Sequence, residues 1–237
     1  INFRCGATDT CGLERVTKRG KYRLGFAFDG DADRLLAVDE NGDIIDGDQL
    51  LAICGTNMKA KGILKKNTIV VTIMSNMGVD LMGKNNNIHI EKTKVGDRYV
   101  LERMKEAGYN IGGEQSGHII FLDDTTTGDG LLSALHLLQV MVETEQPLSE
   151  LAKVMEVLPQ ALVNAKVPNH KKDKFMEYSE IAEAIAEVEK KFNGEGRVLI
   201  RPSGTEPLIR VMIEGKDKQV IDEEAKKLAE LITKIML

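Results

Sequence analysis

The amino-acid sequence predicts an α/β protein in which a mixed α/β region precedes a smaller α+β domain with a small antiparallel sheet and two helices. Short apolar runs alternate with helical patterns as far as residue 155. The order of elements becomes β-α-β-β-α over residues 160–237. Pro159 separates the two patterns, so we place a domain break there.

The N-terminal part contains two predicted strands joined by an acidic loop. Residues 24–28 and 35–38 are apolar runs, and Asp-Gly-Asp-Ala-Asp-Arg lies between them. Asn41-Gly42 is typical of a tight turn. Residues 3–23 are rich in Arg, Cys and Gly and show little amphipathic periodicity where a helix would be expected.

The middle of the chain alternates helices with strands. A helix is predicted from Asp48 towards Gly62, and the β-branched run at 68–74 suits a buried strand. Gly108 tolerates the left-handed conformation that ends helices. The other predicted elements are helices at 79–82, 98–107 and 147–155 and strands at 88–91 and 119–122.

One further helix begins after Asp129, a residue suited to the N-cap. Apolar side chains then recur along one helical face, at Leu131, Leu135, Leu138 and Val142. We expect this face to pack inward.

The C-terminal region contains two helices and three strands. Strands are predicted at 161–167, 197–200 and 207–213. The first helix ends at Asn193-Gly194, and the second covers residues 221–235. These elements suit a sheet packed against helices.

Composition limits the classes of partner. The formal net charge is −5, which argues against a broad nucleic-acid or anionic-membrane surface, because such surfaces cluster Lys and Arg. No apolar stretch is long enough to span a bilayer. The three cysteines, Cys5, Cys11 and Cys54, are odd in number and lack metal-ligand spacing. A reducing compartment, and therefore the cytoplasm, is expected.

Asp29, Asp31 and Asp33 alternate along the acidic loop, so their carboxylates can converge and would repel one another without a cation. Oxygen-only ligands favour Mg²⁺ or Ca²⁺ over zinc. An EF-hand is rejected because Arg34 occupies the position that needs Gly. We predict a Mg²⁺ site, and a solvated acidic turn is the alternative.

A second loop, at 112–118, combines glycines with polar side chains. Glu114 can accept hydrogen bonds from sugar hydroxyls, Ser116 can donate or accept, and His118 can exchange a proton near neutral pH. The glycines allow close approach to a ligand. An exposed hairpin loop explains the same composition and stays open as the alternative.

A third loop, at 201–207, joins two predicted strands. Its Ser-Gly-Thr turn offers backbone N–H groups and hydroxyls, while Arg201 and Arg210 offer planar donors that match phosphate. The loop therefore predicts a phosphate site. A hairpin turn with incidental arginines is the alternative.

Taken together, the three loops resemble the α-D-phosphohexomutase superfamily. The matching motifs are Asp-Gly-Asp-Ala-Asp-Arg at 29–34, Gly-Glu-Gln-Ser-Gly-His at 113–118 and Arg-Pro-Ser-Gly-Thr-Glu-Pro at 201–207. Gln115 and Val-Gly-Asp-Arg-Tyr-Val at 95–100 are similar to the branch that acts on amino sugars. The resemblance covers residues 24–237, and residues 3–23 are expected to depart from the family pattern.

The superfamily has four domains, and the resemblance implies how this chain divides. Residues 1–42 would be the remnant of the second domain, 43–158 the third, a mixed α/β three-layer domain, and 159–237 the fourth. The start at Ile1 instead of Met reads as a cut. The missing N-terminal half would carry the phosphorylated serine, whose S-x-S/A-H-N motif does not occur in this sequence.

The resemblance also implies roles for individual residues. Asp29, Asp31 and Asp33 would hold Mg²⁺, and Arg34 and His118 would be catalytic residues near the reacting oxygens. Glu114 and Ser116 would bind sugar hydroxyls. The residues implied for the distal phosphate are Arg201, Ser203, Gly204, Thr205 and Arg210.

The implied reaction interconverts the 6-phosphate and 1-phosphate of glucosamine through a 1,6-bisphosphate and an enzyme phosphoserine. Mannose and glucose phosphates stay open as alternative substrates. A non-catalytic fragment that binds Mg²⁺ and phosphosugar is a further alternative, and we expect these 237 residues alone to be inactive. An aspartate phosphatase with Asp29 as nucleophile is a third. The implied partners are a hexosamine phosphate and the N-terminal half, and a homodimer is left open.

Overall fold

The computed structural model describes residues 2–237, so Ile1, where the predicted 1–42 segment begins, lies outside the described residues. The chain forms two compact units that divide in sequence between Glu156 and Val157. Each unit combines helices with strands, which confirms the predicted α/β class. Among residues 2–237, no helix is long and apolar enough to cross a membrane.

The first sheet of the first unit carries the acidic loop. Its antiparallel strands are β1 (Leu24–Phe28), β2 (Leu35–Asp39) and β3 (Ile44–Ile45), in the order β1-β2-β3. Phe28 pairs with Leu35, which closes the acidic loop at its base. The pairing of β2 with β3 crosses the predicted boundary at 42/43, and the three-part division of the chain stays a prediction.

A helix precedes β1, in the segment whose sequence was interpreted as having little amphipathic periodicity. Helix α1 (Cys11–Gly20) is strongly amphipathic, so the expectation of little amphipathic periodicity in residues 3–23 is wrong. Leu13 and Thr17 pack against Gly25 of β1, where a Cβ would lie 2.8 Å from each side chain. Thr17 is the buried residue of α1, and a polar residue at that position hides the pattern from a search for apolar residues.

The second sheet of the first unit has the order β5-β4-β6-β7. The first three strands along the chain are parallel, and the last is antiparallel to β6. The strands are β4 (Thr68–Thr72), β5 (His89–Thr93), β6 (Ile111–Gly113) and β7 (Ile119–Phe121). Residues of β4 are buried along its whole length, which explains its continuous β-branched run.

Helices connect and cover these strands. They are α2 (Gly47–Ala60), α3 (Met77–Asn85), α4 (Asp97–Ala107), α5 (Gly130–Thr144) and the short α6 (Leu148–Leu151). Asp46 and Gln49 form a capping box at the start of α2, and Gly108 takes the predicted left-handed conformation after α4. Strands β3 and β6 were not predicted, because two or three residues show no periodicity.

Helix α5 begins as predicted but packs on another face. The Asp129 carboxylate accepts a hydrogen bond from Leu132 N at 2.9 Å. The expected inward residues Leu131, Leu135 and Val142 are instead 61%, 56% and 75% exposed. The buried side chains of α5 are those of Ser133, Ala134, Leu137, Val140 and Met141. The predicted orientation is wrong because apolar residues occupy both faces of α5, and spacing alone does not select the one that meets the core.

The second unit is the predicted antiparallel sheet with two helices. Its strands are β8 (Gln160–Lys166), β9 (Gly196–Pro202) and β10 (Leu208–Gly215) in the order β8-β10-β9, and its helices are α7 (Ser179–Phe192) and α8 (Lys218–Met236). The fully buried Glu214 pairs with Arg197 across β9 and β10. Losing either partner would leave an uncompensated buried charge.

Candidate active site

The acidic loop brings its three aspartates together. One ligand oxygen from each of Asp29, Asp31 and Asp33 lies within 4.8 Å of the others. Ala32 takes a left-handed conformation with φ of 60°, which costs a non-glycine residue about 1–2 kcal/mol. Burial raises the pKa of Asp33, and the Asp29 carboxylate raises it further, because it accepts a hydrogen bond from protonated Asp33 and repels the ionised form. The loop therefore holds like charges close together.

Arg34 neutralises only part of this charge. Its Nε lies 3.6 Å from Asp29 Oδ2 and 3.8 Å from Asp33 Oδ1, and its side chain is 45% exposed. One solvent-screened guanidinium offsets three carboxylates poorly. The oxygen-only donor set fits Mg²⁺, and three protein ligands leave positions for water or a phosphate oxygen.

The loop between β6 and β7 is a tight turn with a fixed carboxylate. Gly117 N donates to Glu114 O at 2.9 Å, and Gly117 has φ of 94°, which glycine adopts without strain. Glu114 Oε1 accepts a hydrogen bond from Gly96 N at 2.9 Å. Ser116 is exposed at the tip. The Glu114 carboxylate is thus oriented by the protein before any ligand binds.

His118 reaches from this loop to the acidic loop. Its side chain is buried, and Nε2 lies 3.5 Å from Asp33 Oδ2 and 3.9 Å from Asp97 Oδ2. Gly128 covers the ring, since a Cβ there would lie 2.4 Å from His118 Cδ2. Within residues 2–237, Nδ1 is buried without a hydrogen-bond partner. The structure therefore brings both predicted catalytic residues, Arg34 and His118, to the aspartates.

Backbone hydrogen bonds through glycines join the loops. They run from Leu35 N to Gly117 O at 3.0 Å, from Gly47 N to Gln115 O at 3.0 Å and from Gly130 N to Ala32 O at 2.9 Å. A Cβ on Gly47 would lie 2.1 Å from Glu114 O, and one on Gly117 would lie 2.2 Å from Leu35 O. Only glycine fits at these contacts, because a side chain would force the loops apart.

The second sheet places this site at its carboxyl edge. Strands β4, β5 and β6 are parallel, so the loops that follow β5 and β6 emerge at the same edge. Ligands of open α/β sheets bind at such an edge. The N-terminus of α2 also lies there, since Gln115 Nε2 donates to the Asp46 carboxylate at 3.1 Å. Burial raises the pKa of Asp46.

In the second unit, the predicted phosphate loop joins β9 to β10. Ser203 is buried, its N donates to Leu208 O at 2.9 Å, and its Oγ accepts from Glu206 N at 3.2 Å. Gly204 and Thr205 are exposed at the tip. Ser203 thus shapes the turn from within, while its neighbours face solvent.

Two arginines stand side by side at this loop. Arg201 and Arg210 are direct partners in the register of β9 and β10. Like charges opposite each other destabilise an antiparallel pair. Glu206 offsets part of the charge, with Oε2 3.4 Å from Arg210 Nη2. An anion bound between the guanidiniums would remove the remaining repulsion.

The sequence reasoning missed several residues of these sites. Gly96 orients Glu114, and Asp97 faces His118, although their motif had been noted only for its resemblance. Gly128 covers His118 from a part of the chain that carried no motif. In the second unit, Lys172 Nζ donates a hydrogen bond to Ser203 O and therefore lies beside the predicted phosphate loop at 201–207. A lysine in a charged stretch gave no signal of its own.

Two family models match the chain. One describes phosphoglucomutase/phosphomannomutase, alpha/beta/alpha domain III, over residues 46–158, and the other describes the phosphoglucomutase/phosphomannomutase C-terminal domain over residues 162–231. Phosphoglucosamine mutase of Ruminiclostridium cellulolyticum is 62% identical over 232 residues, which are 98% of this chain and 52% of that protein. The chain thus spans about half the length of the curated relatives it matches.

The alignment also bears on the N-terminal segment. It leaves out at most 237 − 232 = 5 residues, so residues 3–23 lie largely within the match. The similarity therefore extends beyond the predicted range of 24–237 into residues 3–23.

Solved structures share the fold. N-acetylphosphoglucosamine mutase of Aspergillus fumigatus has a TM-score of 0.78 and 20% identity, and covers 100% of this chain and 53% of its own. The same enzyme in complex with GlcNAc-6P and magnesium has a TM-score of 0.71 at 20% identity, and the match covers 100% of this chain and 54% of that one.

The glycine contact at position 47 generates a prediction about stability. Gly47→Ala should lower the free energy of unfolding by about 1–3 kcal/mol, because the new Cβ collides with Glu114 O. Gly12→Ala is the control, since a Cβ there meets nothing within 4 Å, and should be neutral or stabilise α1 by about 0.5–1 kcal/mol. Urea unfolding followed by circular dichroism measures both. Equal effects would contradict the close contact at Gly47.

Proposed function

Because this chain belongs to the phosphoglucomutase/phosphomannomutase family, we propose that it forms the C-terminal half of a magnesium-dependent phosphoglucosamine mutase. The enzyme interconverts glucosamine-6-phosphate and glucosamine-1-phosphate through a 1,6-bisphosphate and a phosphoserine. That serine belongs to the half that this chain does not span. The observation that carries the proposal is the convergence of the three aspartates with His118 and Glu114.

Asp29, Asp31 and Asp33 are proposed to hold Mg²⁺. The Aspergillus relative is described in complex with magnesium, and the donor atoms here are all carboxylate oxygens. A bound Mg²⁺ would stabilise negative charge on the transferred phosphoryl group. Arg34 would add a second positive charge beside the same loop.

His118 and Glu114 are proposed to act on the sugar. His118 Nε2 lies 3.5 Å from Asp33 Oδ2 of the acidic loop, where it can exchange a proton with a reacting hydroxyl. Glu114, held by Gly96 N, and the exposed Ser116 can bind other hydroxyls. Fixed orientation matters because both transfer steps require the hydroxyl to face the phosphoryl group.

The loop of the second unit is proposed to bind the phosphate that does not react. Arg201 and Arg210 supply planar donors, and exposed Gly204 and Thr205 supply a backbone N–H and a hydroxyl. Ser203 supports the turn from its buried position. The 1,6-bisphosphate has to turn around between steps, so the same loop would accept either phosphate.

A cytoplasmic location is also proposed. Cys5, Cys11 and Cys54 are free thiols in the structure, in agreement with a reducing compartment.

Hexosamine phosphates are the proposed substrates because the curated relative is a phosphoglucosamine mutase.

Turnover by a complete enzyme tests the proposed function. The N-terminal half of the Ruminiclostridium relative would be fused ahead of this chain, and kcat/KM measured for the 6-phosphates of glucosamine, mannose and glucose. We expect glucosamine-6-phosphate to be preferred by at least about tenfold, which corresponds to about 1.4 kcal/mol. The 237-residue chain alone should not convert any of these substrates. A kcat/KM for mannose or glucose phosphate that equals or exceeds the value for glucosamine-6-phosphate favours a phosphomannomutase or phosphoglucomutase. Turnover of substrate by the 237-residue chain alone contradicts the proposal that the phosphoserine lies in the other half.

The metal site predicts a selective loss of Mg²⁺ binding. Asp31→Asn keeps the shape of the side chain but removes a charge, and should weaken Mg²⁺ binding at least about tenfold. Asp43→Asn, at an exposed position outside the cluster, should leave the affinity unchanged. Titration calorimetry measures both. Equal affinities for the two variants would reject the site.

The phosphate loop predicts that charge and shape both matter. Arg201→Ala and Arg210→Ala should each weaken binding of glucosamine-6-phosphate at least about tenfold. Arg201→Lys should give a smaller loss, because an ammonium keeps the charge without the planar fork. Lys226→Ala removes a charge elsewhere in the second unit and serves as control. If calorimetry gives the same affinity for all four variants, the 201–207 loop is not the phosphate site.

A further inference from the structure

A cavity in the first unit lies between α2, α5 and the end of β7. Met58, Phe121 and Val140 stand in its walls, and we call it the α2–α5 cavity. Its volume is about 240 Å³. An apolar cavity of about 150 Å³ can hold benzene, so the α2–α5 cavity has room for a single ring that carries a short chain.

The α2–α5 cavity is separate from the candidate active site. Ile63 and Asn110, which line it, precede the parallel strands β4 and β6, so the cavity opens at the amino edge of the second sheet. The candidate active site lies at the carboxyl edge. Along α2, Asn57 at the cavity is about 15 Å from Gly47 at that site, at about 1.5 Å per residue. A ligand in the cavity therefore leaves the candidate active site unobstructed.

The walls of the cavity are largely apolar. Phe121 and His136 stack, with ring centroids 3.8 Å apart and planes inclined by 19°. Burial raises the pKa of the Cys54 thiol to about 12, so this side chain is neutral near pH 7. Met58 and Val140 add further apolar surface. Such walls favour a ligand with an apolar body, because binding removes its surface from water.

Asn110 fixes one side of the cavity before any ligand binds. Its Nδ2 donates to Ile63 O at 2.9 Å and to Asp123 Oδ2 at 2.8 Å, and its Oδ1 accepts a hydrogen bond from Lys65 N at 3.0 Å. These bonds tie together the segments before β4, before β6 and after β7. The cavity is therefore preformed, which lowers the entropic cost of binding.

The hydrogen-bond donors at the rim of the cavity are engaged within the protein. Glu143 accepts a hydrogen bond from Gln139 Nε2 at 2.8 Å, pairs with Lys61 and is hydrogen-bonded to Asn57. On the other side of the rim, Asn110 donates to Asp123, as described above. A ligand that offers an acceptor would have to compete with these contacts.

Asp124 can accept hydrogen bonds from a ligand. Its carboxylate is 49% exposed and contacts His136 Nε2 at 3.0 Å. A carboxylate can accept about four hydrogen bonds, so this contact leaves capacity for a ligand. Asp123 and Asp124 place two negative charges at the cavity, against one positive charge of Lys61 that is itself paired with Glu143. The charge balance therefore favours a cation over an anion.

We propose that the α2–α5 cavity is a binding site for a small primary amine that carries a single apolar ring. The ring would lie against Phe121 and Val140, and the ammonium group would donate to the Asp124 carboxylate. The site goes beyond the proposed function and does not rest on it, because neither the three aspartates nor the phosphate loop takes part.

Phenethylamine, with one ring and one ammonium group, is the probe. Phenethyl alcohol and phenylacetate carry the same ring but are neutral and anionic, respectively. Each compound is titrated into the isotope-labelled 237-residue chain, and the amide chemical shifts are followed by NMR. We expect phenethylamine to bind with a Kd of about 1 mM or below, and at least about tenfold more tightly than phenylacetate. The largest shifts should occur at cavity residues such as Asn57, Ile63 and Val140.

Two variants with matched controls locate the site. Asp124→Asn removes the charge but keeps the shape, and should weaken phenethylamine binding about fivefold while the affinity for phenethyl alcohol stays the same. Asp43→Asn, at an exposed position outside the cavity, should change neither affinity. Val140→Phe fills the cavity and should abolish binding of both compounds. Val220→Phe, the same substitution at an exposed position of α8, should leave binding intact.

The outcomes that would overturn the proposal are distinct. Equal affinities for phenethylamine and phenylacetate would reject the ligand class. Shifts that scatter over both units without saturation, or an absence of binding by all three compounds, would reject the site. Binding that survives Val140→Phe in a chain shown to be folded by circular dichroism would reject it too. Should that buried substitution prevent folding, the half-exposed Asp124→Asn decides, and an unchanged phenethylamine affinity contradicts the proposal.

Discussion

Backbone hydrogen bonds hold the loop at 112–118 against the acidic loop at 29–34, and the candidate site depends on this constraint. Leu35 N bonds Gly117 O, and Gly130 N bonds Ala32 O, so the acidic loop is held from both sides by main-chain groups. Main-chain hydrogen bonds of this kind keep their geometry without a ligand. The folded backbone therefore holds the three aspartates together against their mutual repulsion. Their carboxylates are arranged for a cation before one binds.

The same electrostatic logic recurs in the second unit with the opposite sign. Arg201 and Arg210 are neighbours on paired strands, as the aspartates are neighbours on one loop. In both places the protein supplies less countercharge than the cluster needs, with Arg34 in one and Glu206 in the other. We therefore propose that a ligand of opposite charge completes each cluster: a divalent cation the first and a phosphate the second.

Local signals in the sequence were enough to predict the three loops of the candidate sites and the strands beside them, except for the short strand β6. The acidic loop lies between two short apolar runs, and the two other loops contain glycine and lie beside predicted strands, so their positions follow from neighbouring residues. Contacts between distant residues could not be predicted. Gly96 reaches Glu114, and Gly47 fits against the same loop, only because parallel strands bring their ends to one edge. The face of α5 was misjudged for a related reason: both of its faces are apolar, and only the packed core shows which is inside.

Amide hydrogen exchange at the loop contacts tests the central claim most directly. Residue-resolved exchange by NMR would compare Leu35 N–H, Gly47 N–H and Gly130 N–H with the amides of the buried strand β4. If the loops are held together by main-chain bonds, these three amides exchange about as slowly as those of β4, because they open only when the unit unfolds. Exchange as fast as at the exposed tip of the 114–118 loop would show that the loops move independently and would contradict the account.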